Sequence, residues 1–406
     1  MKFFENGDGI TEPRGFFGSG VHCDVKGTRD GKLDLGIIYS KRACSAAGVF
    51  TTNDVKAAPV TYCQGILAEK GATFHGVVAN SGNANACTGP QGETDTKKMA
   101  SEVARHLGVH SKEILVFSTG RIGVLLPMSK ITAGIRAATD DIIREFDGAR
   151  AFQEAILTSD TCTKSCSAKI DTPTGEVTIG GVVKGAGMIE PNMATMLAFL
   201  TTDAGASNAF LQPILQQAVD QSFNRMTIDG DMSTNDSVVL LANNATGINL
   251  KKEETKVVER FSEAVEEVCS CLARKCVSDG EKVTKFVKVR VNGAKSNEDA
   301  QKVARCIANS LLVKTSWYGS DPNWGRLVDA AGYAKVGLDF AKLDLFYGHI
   351  PALIDGQPLP ANKSQWKEIV SKKEFTITLD LKMKKGTAEI WTNDLSEEYV
   401  NFNKSE

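Results

Sequence analysis

The sequence holds no apolar run near the ~20 residues that a membrane-spanning helix requires, so no membrane partner is expected. It also lacks an excess of either charge: 47 Lys and Arg stand against 49 Asp and Glu, interspersed along the chain. A basic stripe that could track a phosphate backbone is therefore missing, and nucleic acid is not an expected partner. The opening "MKFFENGDGITEPRG" has neither the apolar core of a secretory signal nor the Arg-rich, acid-poor character of a transit peptide, which makes the cytoplasm the expected location. No CxxC occurs among the ten cysteines; they are expected to be reduced, most of them buried as small hydrophobes. Cys162 and Cys166 are spaced as one helical turn, yet no His lies nearby to complete a ligand set, and no metal is expected. The five His, at 22, 75, 106, 110 and 349, all fall outside the Gly-rich segments, which disfavours a His-dependent Ser or Cys triad.

What the chain has is length and pattern. Its 406 residues, 42% hydrophobic, suffice for one large or two medium domains. Short β-branched runs ("LGIIYS", "HGVVAN", "EILVFS", "EVTIGGVVKG") alternate with helical patterns, so the fold class is mixed α/β. A 3.6-residue rhythm through Phe210, Leu211, Ile214, Leu215, Ala218, Val219 and Phe223 predicts a helix with Ser207 or Asn208 as N-cap. Helices are also predicted from Val257 to Val268 and from Ala300 to Leu311, the latter entered through Asn297 and an acidic first turn. Strict alternation in "KFVKVRVNG" and "EFTITLDLKM" predicts half-buried strands. A smaller α/β lobe is expected over 286–406, after a catalytic domain of 1–285, with "LIDGQPLPANKS" the plainest loop.

Four polar, Gly-containing stretches could carry chemistry: 77–89, 116–123, 184–199 and 227–239. "GAG" at 185–187 is not completed to GxGxxG, no GxxxxGK[ST] exists, and Asp229, Asp231 and Ser233 lack the Gly and Glu of a calcium loop. "STG" at 118–120 follows an apolar strand, where backbone N–H groups can converge on an oxyanion; an ordinary strand-to-loop turn is the competing reading. Thr195 stands where a Gly-rich turn gives way to "TMLAFL". Threonine is a good strand residue, and that reading is open. The other is a nucleophile whose own α-amine, freed by cleavage after Ala194, serves as base with a pKa of about 7.7–8.0.

Together "KGAGMIEPNMATMLAFLTTDA", "VVANSGNANACTG", "VFSTGRIG", "TIDGDMSTNDSVVLLAN", "LLVKTSWYGSDPNWGRLVDAAGY" and "WTNDLSEEYVNFN" resemble the ornithine acetyltransferase (glutamate N-acetyltransferase) family of arginine biosynthesis. The resemblance implies a layered fold of two β-sheets between helix layers with a C-terminal lobe, of N-terminal-nucleophile type. It implies self-cleavage between Ala194 and Thr195 into an α chain, 1–194, and a β chain, 195–406, assembled as α2β2. Acetyl would pass from N-acetylornithine to glutamate through an acetyl-Thr195 intermediate, with Thr119 and Gly120 as oxyanion hole. Thr158, Lys184, Thr195, Glu281 and Asn403 match substrate-binding positions; Lys184 suits a carboxylate and Glu281 an ammonium. No cofactor is implied, and acetyl-CoA is left open as a further co-substrate.

Two positions depart from that family's pattern. Asn403 aligns with a tail Asn, but the Thr found five residues later has no counterpart before Glu406. Arg121 stands beside the oxyanion-hole pair where an apolar residue is expected. The same acyl chemistry resolved by water would give an N-terminal-nucleophile amidase or aminopeptidase, and a fold that never cleaves would be a binding protein.

Overall fold

The computed structural model describes residues 1–28, 30–143, 148–190 and 196–404. Among these, the chain divides into two compact units, Met1–Asn224 with Met232–Cys276, and Arg225–Asp231 with Val277–Glu406.

The first unit contains strands β1 (Lys2–Phe4), β2 (Phe16–Val21), β3 (Leu35–Phe50), β4 (Phe74–Asn80), β5 (Ile114–Ser118), β6 (Lys164–Thr172), β7 (Gly175–Lys184), β8 (Leu197–Thr202) and β9 (Ser237–Ala242). Helices α1 (Ala58–Leu67), α2 (Gly89–Leu107), α3 (Met128–Ile143), α4 (Ala149–Ala155), α5 (Asn208–Gln221) and α6 (Thr255–Ser278) surround them. Strand β3 does the work of two strands. Its first part pairs with β2 and β4, its register breaks between Tyr39 and Cys44, and its second part pairs with β9. One sheet therefore runs β2-β3-β4-β5 and the other β1-β6-β7-β8-β9-β3.

The two sheets face each other. Phe16, Ile38, Val77, Leu115 and Phe117 of one share a core with Val182, Leu197, Phe199, Val239 and Leu241 of the other. Phe117 and Phe199 meet edge to face at 5.1 Å, the arrangement their quadrupoles favour. Outside the first sheet, Met99, Val103, Ile131 and Ile135 of α2 and α3 cover Leu35, Ile37, Val78 and Val116. Outside the second sheet α6 lies close over Gly181, where a Cβ would fall 2.8 Å from Val268 and 2.9 Å from Leu272. Two sheets between helix layers is the expected architecture, and β8 and β9, covered on both faces, are buried throughout.

The second unit carries β10 (Phe286–Ala294), β11 (Asp344–Tyr347), β12 (Ile350–Ile354), β13 (Gln357–Pro358), β14 (Glu374–Asp380) and β15 (Gly386–Asn393), with helices α7 (Asn297–Asn309), α8 (Leu311–Tyr318), α9 (Trp324–Gly332), α10 (Lys363–Val370) and α11 (Glu397–Asn403). The strand order is β13-β12-β11-β14-β10-β15. Val287, Val289 and Val291 alternate into a core with Val303, Ala304 and Ile307 of α7, as the sequence pattern predicts. Four details differ from the sequence reading. The stretch read as a loop contains the β12–β13 hairpin, because Asp355 and Gly356 take positive φ (46° and 68°) and turn it in two residues. Ser296, not Asn297, caps α7 by accepting from Asp299 N–H. Cys166 lies in β6 and Cys162 precedes it, so no helical turn aligns the pair. The chain passes between units within α6, where no loop composition marks a boundary.

Candidate functional site

Three strand ends of the first unit converge. β5 ends at Ser118, β7 ends at Lys184, and Lys184 is paired across the ladder with Leu197 at the start of β8. Because β5 belongs to one sheet and β7 to the other, residues just past these ends meet across the sandwich. Lys184, 2% exposed, donates from Nζ to Thr158 Oγ1 at 2.6 Å and to Thr119 Oγ1 at 3.3 Å. Three of the positions that the resemblance singles out thus lie within one hydrogen-bonded cluster.

Thr119 donates its backbone N–H to Asn80 O at 2.9 Å, so the side-chain hydroxyl is the group it can offer. That oxygen accepts from Lys184, which leaves the hydroxyl hydrogen to point at an acceptor. Gly120 follows with φ 132°, and a Cβ there would sit 2.4 Å from Gly82 C and 2.5 Å from Asn83 N. Only glycine fits that conformation and that approach. The loops behind it are laced by buried amides. Asn235 Nδ2 donates to Ser118 O and Ala84 O, Ser118 Oγ to Asn80 Oδ1, and Asn83 Nδ2 to Val124 O and Leu125 O. The Asn-rich stretches near 80 and 235 are therefore scaffolding for the 118–120 turn.

Asp160, which sequence reasoning missed, organises the charge. Its Oδ1 accepts from Lys164 Nζ at 2.6 Å and Gly185 N–H at 2.7 Å; Oδ2 accepts from Thr158 N–H at 3.1 Å and lies 3.8 Å from Lys184 Nζ. Burial alone would raise this carboxyl, but the Lys184 and Lys164 charges with the Lys164 and Gly185 hydrogen bonds lower it to about 2. Lys164 and Lys184 both lie against this carboxylate, and an ammonium such as that of Lys184 suits an anionic ligand group. Its signal in the sequence was slight: one Asp in "LTSDT", beside the Thr158 already singled out.

Arg121 is exposed and donates to Lys26 O at 2.7 Å, so its guanidinium is tied to the neighbouring loop. In the second unit, Asn403 Nδ2 at the end of α11 donates to Glu281 Oε2 at 2.9 Å and to Tyr399 O at 3.1 Å. Two positions 122 residues apart in sequence are thereby adjacent. Ala194 and Thr195 lie outside the described residues; Met196, the next residue, is buried and donates its N–H to Asp236 Oδ1 at 3.1 Å.

Among the described residues no group of His, Cys, Asp or Glu could hold a metal ion, and no helix is long and apolar enough to cross a membrane. The fold and site define a layered α/β protein with a lysine and hydroxyl cluster at the mouth of its sheet sandwich. The ArgJ family matches residues 18–405, and the chain belongs to that family. It is 45% identical to the arginine biosynthesis bifunctional protein ArgJ of Thermotoga neapolitana, over 96% of this chain and 98% of the relative. It is 43% identical to the protein of the same name from Symbiobacterium thermophilum, over 98% of each. Among solved structures it is similar to the ornithine acetyltransferase of Mycobacterium tuberculosis complexed with ornithine: 35% identity, 47% of this chain, 98% of that chain, TM-score 0.42.

Proposed function

We propose that this chain is a glutamate N-acetyltransferase that cleaves itself between Ala194 and Thr195 and moves acetyl from N-acetylornithine to glutamate, in arginine biosynthesis. The observation that carries this reading is the Lys184–Thr119–Thr158 cluster, set where β7 hands over to β8, two residues past the expected nucleophile. Thr195 Oγ takes the acetyl group while its α-amine accepts the proton. The Thr119 hydroxyl and Gly120 N–H stabilise the tetrahedral oxyanion, and Lys184 with Thr158 receives the amino-acid substrate. Glu281 and Asn403 are assigned to substrate ammonium and tail contacts. Nucleophile and base are one residue, so the chemistry calls for no cofactor. Acetyl-CoA as a second donor, a cytoplasmic location and an α2β2 assembly of processed chains belong to the same proposal.

Thr195→Ala abolishes both chain cleavage and transfer in this scheme, and Thr195→Ser keeps part of each. N-terminal sequencing for a chain beginning TMLAF, with an acetyl-transfer assay, checks both. Incubation with N-acetylornithine, with and without glutamate, should give N-acetylglutamate and ornithine together. Free acetate without N-acetylglutamate would establish the amidase instead.

A further inference from the structure

Where α6 lies over the second sheet, β6 and α6 bring two thiols together. Successive side chains of β6 point to opposite faces. Ser165 Oγ donates to Gly7 O on one side, and the Cys166 thiol, 0% exposed, donates to Val268 O of α6 at 3.4 Å on the other. Cys166 pairs across the ladder with Gly181, the position whose missing Cβ admits Val268 and Leu272, so the helix comes close enough for this sulfur to reach its backbone. Further along α6, Lys275 Nζ donates to Ser165 O at 2.8 Å, to Asn6 Oδ1 at 3.0 Å and to Glu5 O. Val268, Cys271 and Lys275 follow the i, i+3, i+7 spacing of a single helix face, so Cys271 stands between the two residues that grip β6. Its half-buried thiol is hydrogen-bonded to that of Cys166.

The two sulfurs are chemically unequal. The hydrogen bond from Cys166 holds the Cys271 thiol below its usual range against the effect of burial, helped by the Lys275 ammonium and opposed by the Glu5 and Glu267 carboxylates. The same hydrogen bond and deeper burial push the Cys166 thiol well up. Cys44 and Cys63, which burial pushes up to about 12, are by contrast inert small hydrophobes. An accessible thiol that ionises readily, backed by a buried second thiol, is the arrangement of an attacking and a resolving cysteine. We propose that Cys166 and Cys271 are a reversible modification site, a cross-link closed by a small disulfide of the glutathione class. The Cys271 thiolate attacks one sulfur of that disulfide, whose S–S bond breaks and releases a thiolate. Cys166 gives its proton to that thiolate and attacks Cys271 Sγ, expelling the second thiolate, which takes a proton from water. The two cysteines are oxidised, and one disulfide is reduced to two thiols. In a reducing compartment the pair rests open. Resting on the self-cleavage proposed above, the site has a further consequence: Cys166 precedes position 194 and Cys271 follows it, so the cross-link rejoins the two chains covalently.

The test is oxidation of the reduced, mature protein with glutathione disulfide, followed by alkylation and digestion without reductant. Mass spectrometry should find a peptide pair joined through Cys166 and Cys271, lost on adding dithiothreitol and absent from Cys166→Ser and Cys271→Ser. Cys271→Ser leaves the buried sulfur in place, so it should keep wild-type acetyl transfer and unfolding temperature while losing the link. Should Cys166→Ser fail to fold, Cys271→Ser alone decides. Cys271 found only capped by glutathione, with Cys166 still a free thiol, overturns the inference, as does either cysteine joined to a different partner. On a denaturing gel without reductant, the oxidised mature protein should run as one species of 43.6 kDa, which reductant splits into two. Two bands under both conditions overturn the cross-link. One band under both conditions refutes self-cleavage instead, and the peptide map then still decides whether the two cysteines are joined.

Discussion

Thr119 carries two donors, and the structure commits only one of them. With its N–H on Asn80 O, the hydroxyl stays available while Lys184 polarises it from behind. Thr119→Val keeps shape and backbone bond and deletes the hydroxyl alone. It should lower kcat by about a hundredfold or more with little change in KM or unfolding temperature, measured by steady-state transfer kinetics and thermal denaturation. An unchanged kcat would remove Thr119 from the oxyanion hole. Gly120→Ala acts differently, because the new Cβ meets the Gly82 and Asn83 backbone at 2.4 and 2.5 Å with φ at 132°. That substitution should lose stability as well as activity, by about 1–3 kcal/mol in chemical denaturation.

At the scale of elements, the site is a meeting of strand ends held by one buried ion cluster. Asp160, between Lys164 and Lys184, ties the 158–160 turn to Gly185 at the end of β7. Removing its charge takes a carboxylate partner from two buried ammonium groups, so Asp160→Asn should destabilise the protein by about 3–5 kcal/mol in urea unfolding. The pH dependence has a fixed sign. The folded carboxyl is lowered to about 2, so its stabilisation is complete above the unfolded value of about 3.9 and is lost as pH falls between those values. Wild type should therefore lose stability across that window more steeply than Asp160→Asn. An equal slope in both would mean that Asp160 is not the group protonated there.

The same cluster shows what the sequence could and could not reveal. Strand β10 announced itself by alternation and α5 by its rhythm, because each buries one face made of its own neighbours in sequence. The Thr119–Gly120 turn and Lys184 stood out through long, specific strings. Asp160 and Asp236 did not, since a lone aspartate in a polar loop looks solvated until a distant strand covers it. The partners of Asp160 lie up to 25 residues away and that of Asp236 lies 40 away. Strand β3 was read only as "LGIIYS" because "SKRACS" interrupts its apolar pattern at the point where it leaves one sheet for the other.

For the molecule as a whole, the expected cut would fall between strands that are paired with each other. Residues 179–184 of β7 bond to 197–202 of β8, and β3 residues 45–50 bond to β9 residues 237–242. Each pairing joins a strand before position 194 to one after it. Phe117 against Phe199 adds an apolar contact between the same two segments, deep in the sandwich. Two antiparallel ladders and a shared core join the two segments, so cleavage would remove a covalent link without loosening the fold. Mature protein should then migrate as two chains on a denaturing gel, yet keep both in every native species, with native mass spectrometry giving multiples of the 43.6 kDa pair and no isolated fragment. Denaturant should separate the chains only through the transition that unfolds the sheets, and their release below that transition would mean that the cut lies elsewhere.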